Sequence, residues 1–205
     1  AIRAGCRNFF GYPITPQTEV PEYLAKRFPE VDGLFVQAES EVASINMIYG
    51  AAGVGVKCLT SSSSPGISLM AEGLSYIAAC ELPCVIINIM RAGPGLGGIL
   101  PAQSDYHQAT RGHGHGDYQV IVLAPSSVQE AADLMLLAFE LAETYRNPVM
   151  VCADGMIGQM MEPVEFPCEG RGEPLKENDW ALTGTEGRKR RIVNSLYLGP
   201  DELFE

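Results

Sequence analysis

The chain has 205 residues, 46% of them hydrophobic, and a mean hydropathy of +0.06, values that fit one soluble globular domain with at most an appendage. A formal net charge of −11 argues against a nucleic-acid partner, since a polyanion calls for clustered cations, and the one dense cationic run is RKRR at 188–191, read as a solvated or subunit-contacting face. No apolar run approaches the ~20 residues of a membrane span, and AIRAGCRNFF at the start lacks the layout of a signal peptide.

Six cysteines lie at 6, 58, 80, 84, 152 and 168, mostly inside apolar runs and without a C-x-x-C pair. That usage argues against a disulfide framework, zinc or an iron–sulfur cluster held by this chain, and points to a reducing cytoplasm.

In chain order, short apolar or β-branched runs alternate with helical patterns. Residues 8–12 predict a first strand, and the following GYPITPQTE leads into a helix at 18–28. Thr15 followed by Pro16 reads either as a helix N-cap with proline at the first helical position or as part of a site. A strand at 33–36 runs into the two carboxylates Glu39 and Glu41 and a helix at 41–52. A strand at 56–60 ends in TSSSSPG, whose hydroxyls and free N–H groups suit either a plain capped turn or a polar ligand, and a helix follows at 66–79.

The strand at 84–90 ends on Arg91, the only basic residue between Lys57 and Arg111. A strand at 120–124, a helix at 128–145 and a strand at 149–153 complete the series, with Ser127 and Glu130 spaced as a capping box. This alternation predicts an α/β fold: a three-layer parallel sheet with helices on both faces. From residue 167 the texture turns rich in Gly, Pro and charge, so residues 1–166 read as the domain and 167–205 as an extended arm. The arm holds 6 basic and 8 acidic residues, leaving −9 of the −11 on the domain. An arm more basic than its domain suits contact with that domain or with a partner subunit.

Every candidate for chemistry falls at a strand's carboxyl end, where open α/β sheets bind ligands. The two glutamates either complement the helix dipole, at about 0.3–1 kcal/mol each, or Glu41 serves a ligand. A lone guanidinium after a buried strand needs an anion, so Arg91 pairs either with an internal carboxylate such as Glu72, Glu81 or Asp105, or with a carboxylate substrate. The G-x-G-x-x-G match at 93–98 contains Pro94 and precedes Leu100-Pro101 rather than a helix, which argues against a dinucleotide. His107, His113 and His115 lie in a Gly-interleaved loop, no metal site is expected, and CADG at 152–155 lacks the downstream asparagines of a thiamine-diphosphate magnesium motif.

Taken together, GYPITPQTE, ESEVASINMIYGAAGVG, TSSSSPGISLMAEGLSYIA and NIMRAGPGLGGILPAQSDYHQATRGHGHGDY resemble, in order and spacing, the α subunit of 2-oxoacid:ferredoxin oxidoreductases. The resemblance leans toward the 3-methyl-2-oxobutanoate (2-oxoisovalerate) type and runs from Ala1 to about Phe166, with WALTG…GRKR…NSLYL of the arm also similar. It implies that residues 1–166 are the pyrimidine-binding domain of a thiamine-diphosphate enzyme. It also implies a chain that opens inside the family's first helix and stops before a further C-terminal domain. Glu41 would contact N1′ of the aminopyrimidine, while Thr15 and Arg91 would hold the carboxylate and carbonyl of the 2-oxoacid.

The implied reaction is oxidative decarboxylation of a branched-chain 2-oxoacid to acyl-CoA and carbon dioxide, with coenzyme A as co-substrate and electrons passed to ferredoxin. A β subunit would carry the diphosphate and Mg2+, partner subunits would hold the iron–sulfur clusters, and γ and ferredoxin-like δ subunits and ferredoxin would complete the set of partners. Alternatives are a 2-oxoglutarate- or pyruvate-specific member, a non-oxidative thiamine-diphosphate decarboxylase, and a non-catalytic scaffold subunit.

Overall fold

The computed structural model describes residues 1–166 and 178–196. Its sheet has six strands, β1 (Asn8–Gly11), β2 (Leu34–Gln37), β3 (Cys58–Ser62), β4 (Val85–Met90), β5 (Ile121–Leu123) and β6 (Val149–Asp154), all parallel and ordered 2-1-3-4-6-5. The central strands β3, β4 and β6 are buried at every residue, whereas the edge strands β2 and β5 are only partly covered. This is why the central strands read as unbroken apolar runs and the edges as weaker ones.

The period of two is visible in the packing. Ile86, Met90, Met150 and Cys152 face one core with α2 (Glu41–Gly53) and the pair α3 (Ser64–Leu69) and α4 (Ala71–Ala79). Val85, Ile87, Ile89, Val149, Val151 and Ala153 face the other, against α1 (Glu19–Arg27) and α6 (Val128–Tyr145). Two short helices, α5 (Tyr106–Thr110) and α7 (Gly155–Gln159), follow β4 and β6 at their carboxyl ends. The three-layer parallel sheet expected from the alternation is therefore the fold.

Three local expectations are corrected. The helix expected at 66–79 is two helices meeting at Met70, which ends α3 and begins α4 with its N–H shared among carbonyls of the preceding turn. Gly73 lets α4 close on α2, since a Cβ there would lie 2.5 Å from Ile45 Cγ2. Thr15 is not a helix cap: α1 starts at Glu19 with Thr18 before it, and the Thr15–Pro16 peptide is cis. The capping box is shifted by one residue, because Ser127 Oγ accepts from the Glu130 N–H at 3.1 Å but the Glu130 carboxylate reaches back to the N–H and hydroxyl of Ser126.

Residues 167–177 and 197–205 of the expected arm lie outside the described residues. Residues 178–196 lie on the chain's own domain: Leu182 N–H donates to Gly53 O at 2.9 Å, and Ala181 is buried against Gly55. In the RKRR run Lys189, Arg190 and Arg191 are exposed, in keeping with a solvated face, while Arg188 bonds the carbonyls of Asn178 and Asp179 and Arg191 bonds Asp179 within the arm itself. No helix among the described residues is long and apolar enough to cross a membrane.

Candidate active site

Strand order reverses at β1, which has β2 on one side and β3 on the other. Such a switch point opens a crevice beyond the carboxyl ends of the strands. Segments following β1, β2, β3 and β4 converge there and carry Thr15, Glu41, the serine run and Arg91.

Glu41 opens α2 and is 5% exposed, whereas Glu39 lies before the helix and is exposed. The cap itself is Ser40, whose Oγ accepts from the Ala43 N–H at 3.1 Å. The dipole reading, which treated the two glutamates alike, therefore does not describe them: burying a carboxylate costs far more than the dipole returns. Among the described residues no donor and no cation is paired with the Glu41 side chain. Glu41 and Ser62 pack directly on Gly66, where a Cβ would come 2.8 Å from Glu41 Oε1 and 2.0 Å from Ser62 Oγ. Thr60, Ser62 and Ser63 are each fully buried, and their hydroxyls too are without partners. Unpaired buried polar atoms are rare in native structures, and here several of them cluster beside Glu41.

Arg91 is 6% exposed. Its Nη1 donates to Thr15 O at 2.9 Å and its Nη2 to Leu96 O at 2.8 Å, while Nε has no partner. The structure thus brings Thr15 and Arg91 together, through the threonine carbonyl. None of the internal carboxylates considered for Arg91 pairs with it: Glu72 accepts from Tyr76, Glu81 pairs with Arg146, and Asp105 accepts from Ser64 and Asn88. The buried guanidinium is thus bonded only to neutral carbonyls, with no anion paired to it among the described residues.

How the polar residues of this rim bond to one another escapes a reading of the sequence. Asp105 accepts from Ser64 Oγ at 2.6 Å and Asn88 Nδ2 at 2.9 Å; Ser64 Oγ in turn accepts from the Arg91 N–H at 3.0 Å, and Asn88 Oδ1 accepts from the Ser64 N–H at 3.2 Å. This network ties β4 to the first turn of α3. Asp154, in the CADG run, caps α7 through the N–H groups of Met156 and Ile157 and accepts from Gln103 at 3.0 Å. Burial pushes its carboxyl pKa upward, but the bonds from Ile157, Gln103 and Met156 outweigh that and hold it below the ordinary value. Cys152 lies near Asp105, and burial, with that carboxylate adding to it, pushes its thiol up to about 12, so it offers no thiolate. No group of three or more His, Cys, Asp or Glu placed to hold a metal ion occurs among the described residues.

Fold and site together define a crevice in which an unpaired buried carboxylate and an unpaired buried cation wait on the same strand-end rim of a doubly wound sheet. The chain belongs to the pyruvate flavodoxin/ferredoxin oxidoreductase family, whose thiamine-diphosphate-binding region it matches over residues 1–191. It is 53% identical to the ketoisovalerate oxidoreductase subunit VorB of Methanothermobacter thermautotrophicus over 205 residues, all of this chain and 58% of that protein. It is also 48% identical to the 2-oxoglutarate synthase subunit KorA of Methanocaldococcus jannaschii over 165 residues, 80% of this chain and 45% of that one. The 2-oxoglutarate:ferredoxin oxidoreductase from Magnetococcus marinus, solved with 2-oxoglutarate, coenzyme A and succinyl-CoA, superposes with a TM-score of 0.82 at 32% identity, over 99% of this chain and 40% of its own. The chain therefore spans between 40% and 58% of the length of these relatives.

Proposed function

We propose that residues 1–166 form the pyrimidine-binding domain of a thiamine-diphosphate-dependent 2-oxoacid:ferredoxin oxidoreductase, acting on a branched-chain 2-oxoacid. The observation that carries this reading is the pair of buried, unmatched charges, Glu41 and Arg91, at one switch-point crevice. The residues present fit the cofactor: a carboxyl group suits the ring nitrogen of an aminopyrimidine, and Gly66 lets that carboxyl lie tight against the first turn of α3, where a side chain would displace it.

Thiamine diphosphate, when bound, supplies the nucleophilic carbon and the electron sink for decarboxylation. Glu41 holds a proton against N1′ of the pyrimidine, a general acid–base task for which a buried, unpaired carboxyl is suited. Arg91 presents its free Nε to the substrate carboxylate while Thr15 fixes the orientation of the guanidinium from the other side. A single fixed cation recognises every 2-oxoacid alike. Selection among them falls to the 92–100 loop, where Leu96, Ile99 and Leu100 stand exposed and no second cation is present for a distal carboxylate. The similarity to a ketoisovalerate oxidoreductase subunit supports the same preference.

The diphosphate with Mg2+ then belongs to a partner β subunit, and the iron–sulfur clusters, the route to ferredoxin and the transfer to coenzyme A to β, γ and δ partners. Purification of the assembled complex tests the reading. Viologen reduction dependent on coenzyme A should be fastest with 2-oxoisovalerate among 2-oxoisovalerate, pyruvate and 2-oxoglutarate. Fastest turnover of 2-oxoglutarate would sink the branched-chain assignment, and aldehyde release without acceptor reduction would indicate a non-oxidative decarboxylase.

A further inference from the structure

The loop that carries Thr15 is held by one buried amide. Gln17 is 1% exposed, and its Nε2 donates to Tyr12 O at 3.0 Å while its Oε1 accepts a short bond from the hydroxyl of Ser61, itself fully buried on β3. Its backbone closes the same turn, with Gln17 N–H on Ile14 O and Val20 N–H on Gln17 O, both at 3.0 Å. The side chain therefore spans the switch-point crevice from the end of β1 to β3, and the loop folds around it. At the middle of that loop the Thr15 carbonyl accepts from Arg91 Nη1 at 2.9 Å.

We propose that Gln17 is a positioning residue for the substrate carboxylate: it does not touch the substrate, but by clamping the loop to Ser61 it fixes the carbonyl that aims the Arg91 guanidinium. This rests on the reading of Arg91 as the carboxylate-binding cation. The guanidinium has two anchors, Thr15 O on the clamped loop and Leu96 O on its own loop, and the remaining Nε faces wherever those two anchors leave it. Releasing the first anchor leaves the charge in place but frees its direction. Binding of the carboxylate in the ground state should suffer more than the chemical step, and contacts at Glu41 should not suffer at all.

The test uses the assembled complex and two variants. Gln17→Met fills the volume and removes both bonds; the 2-oxoacid KM should rise by roughly 3–10-fold, the worth of one or two net hydrogen bonds, at every pH. Gln17→Glu is isosteric. Ionised, the new carboxyl still accepts from Ser61 but has no proton for Tyr12 O; protonated, it restores both bonds, and burial favours its neutral form. Its KM should thus be raised at pH 8 and return toward the wild-type value near pH 6, a rescue that a general loss of stability would not produce. The dissociation constant for thiamine diphosphate, measured by calorimetric titration, should stay within about twofold of wild type in both variants, because Glu41 and Gly66 are untouched.

A pH-independent KM in Gln17→Glu overturns the proposal even if Gln17→Met fails to fold, and so does a loss of cofactor affinity equal to the change in KM. Arg91→Ala is measured alongside. If it raises KM while neither Gln17 variant does, the clamp is wrong and the proposed function stands; if Arg91→Ala leaves KM unchanged, the carboxylate reading fails and the clamp with it.

Discussion

At the amino ends of the strands the cations are matched: Lys57 Nζ bonds Ala4 O at 3.1 Å and Glu143 at 3.4 Å, Arg7 caps the carbonyls of Ile2 and Cys6, and Arg146 pairs with Glu81 while lying over the Trp180 ring. At the carboxyl ends Glu41, the Arg91 Nε and the hydroxyls of Thr60, Ser62 and Ser63 are buried and unmatched. Both ends belong to the same six strands and the same two cores, so packing does not account for the difference. Each unmatched buried polar group costs about 1–3 kcal/mol. A fold that carries several of them on one rim and none of that kind among the cations of the other has concentrated its instability where a ligand can offset it.

The comparison is broken most sharply at Glu41. Glu41→Gln in the assembled complex should slow turnover and exchange of the reactive cofactor proton by ~10²–10⁴-fold, the usual effect of removing a general acid–base group. In the complex stripped of thiamine diphosphate, thermal stability should hold or rise, since a buried carboxyl without a partner is replaced by a neutral amide. Glu39→Gln, at an exposed position before the helix, should change neither. Equal mild effects at the two positions would return both glutamates to the helix dipole.

Arg91 is the next largest effect. A charge-assisted hydrogen bond contributes about 1.5–3 kcal/mol, so Arg91→Ala should lower kcat/KM by roughly 10–150-fold for every 2-oxoacid without reordering them. The measurement is the same three-substrate panel in wild type and variant. Unchanged rates would mean that the two carbonyls, Thr15 O and Leu96 O, are all that the guanidinium serves.

How far the sequence led follows from the range of each interaction. The central strands were legible because burial on both faces writes apolar runs that need no knowledge of partners, the edge strands because short β-branched runs alternate with helical patterns, and Glu41 and Arg91 because a charge at the end of such a run is conspicuous. The break at Met70 was not, since no Gly or Pro marks it and both halves share the same apolar periodicity. Nor was the second layer around the charges. Gln17 meets Ser61 from 44 positions away and Ser64 meets Asp105 from 41, so an ordinary polar residue becomes a clamp only once the sheet has placed β1, β3 and β4 side by side. The alternative offered for Arg91, an internal carboxylate, failed largely for the same reason: Glu81 and Asp105 are occupied by Arg146 and Ser64, which only the fold brings near, while Glu72 is taken by Tyr76 one helical turn on.

Acid sensitivity should come from the loop between α5 and β5. Both ring nitrogens of His113 are buried without partners, the ring is stacked on Tyr118, and burial pushes its pKa from 6.5 down to about 4. The unfolded chain therefore binds the proton first. The stability contribution of a neutral His113 is complete above pH 6.5 and is lost as pH falls through that value toward 4. In His113→Phe, denaturant midpoints measured between pH 7 and 4 should fall less steeply than in wild type; parallel curves would show that His113 is not the group that titrates.

The smallest effect is expected at the matched end. The Lys57 side chain is 20% exposed and that of its partner Glu143 42%, so water still screens the pair, and ion pairs open to solvent contribute about 0–1 kcal/mol. The bond to Ala4 O adds a further increment of about 0.5–1.5 kcal/mol. Lys57→Ala should therefore lower unfolding stability by about 1–2 kcal/mol, readable as a shift in denaturant midpoint at constant slope. Turnover and cofactor affinity should not move, because Lys57 sits at the amino end of β3 while the unmatched groups sit at its carboxyl end. A loss of cofactor affinity in this variant without a loss of stability would contradict the division between the two ends, since it would place a functional charge on the rim whose charges are already spent on the fold.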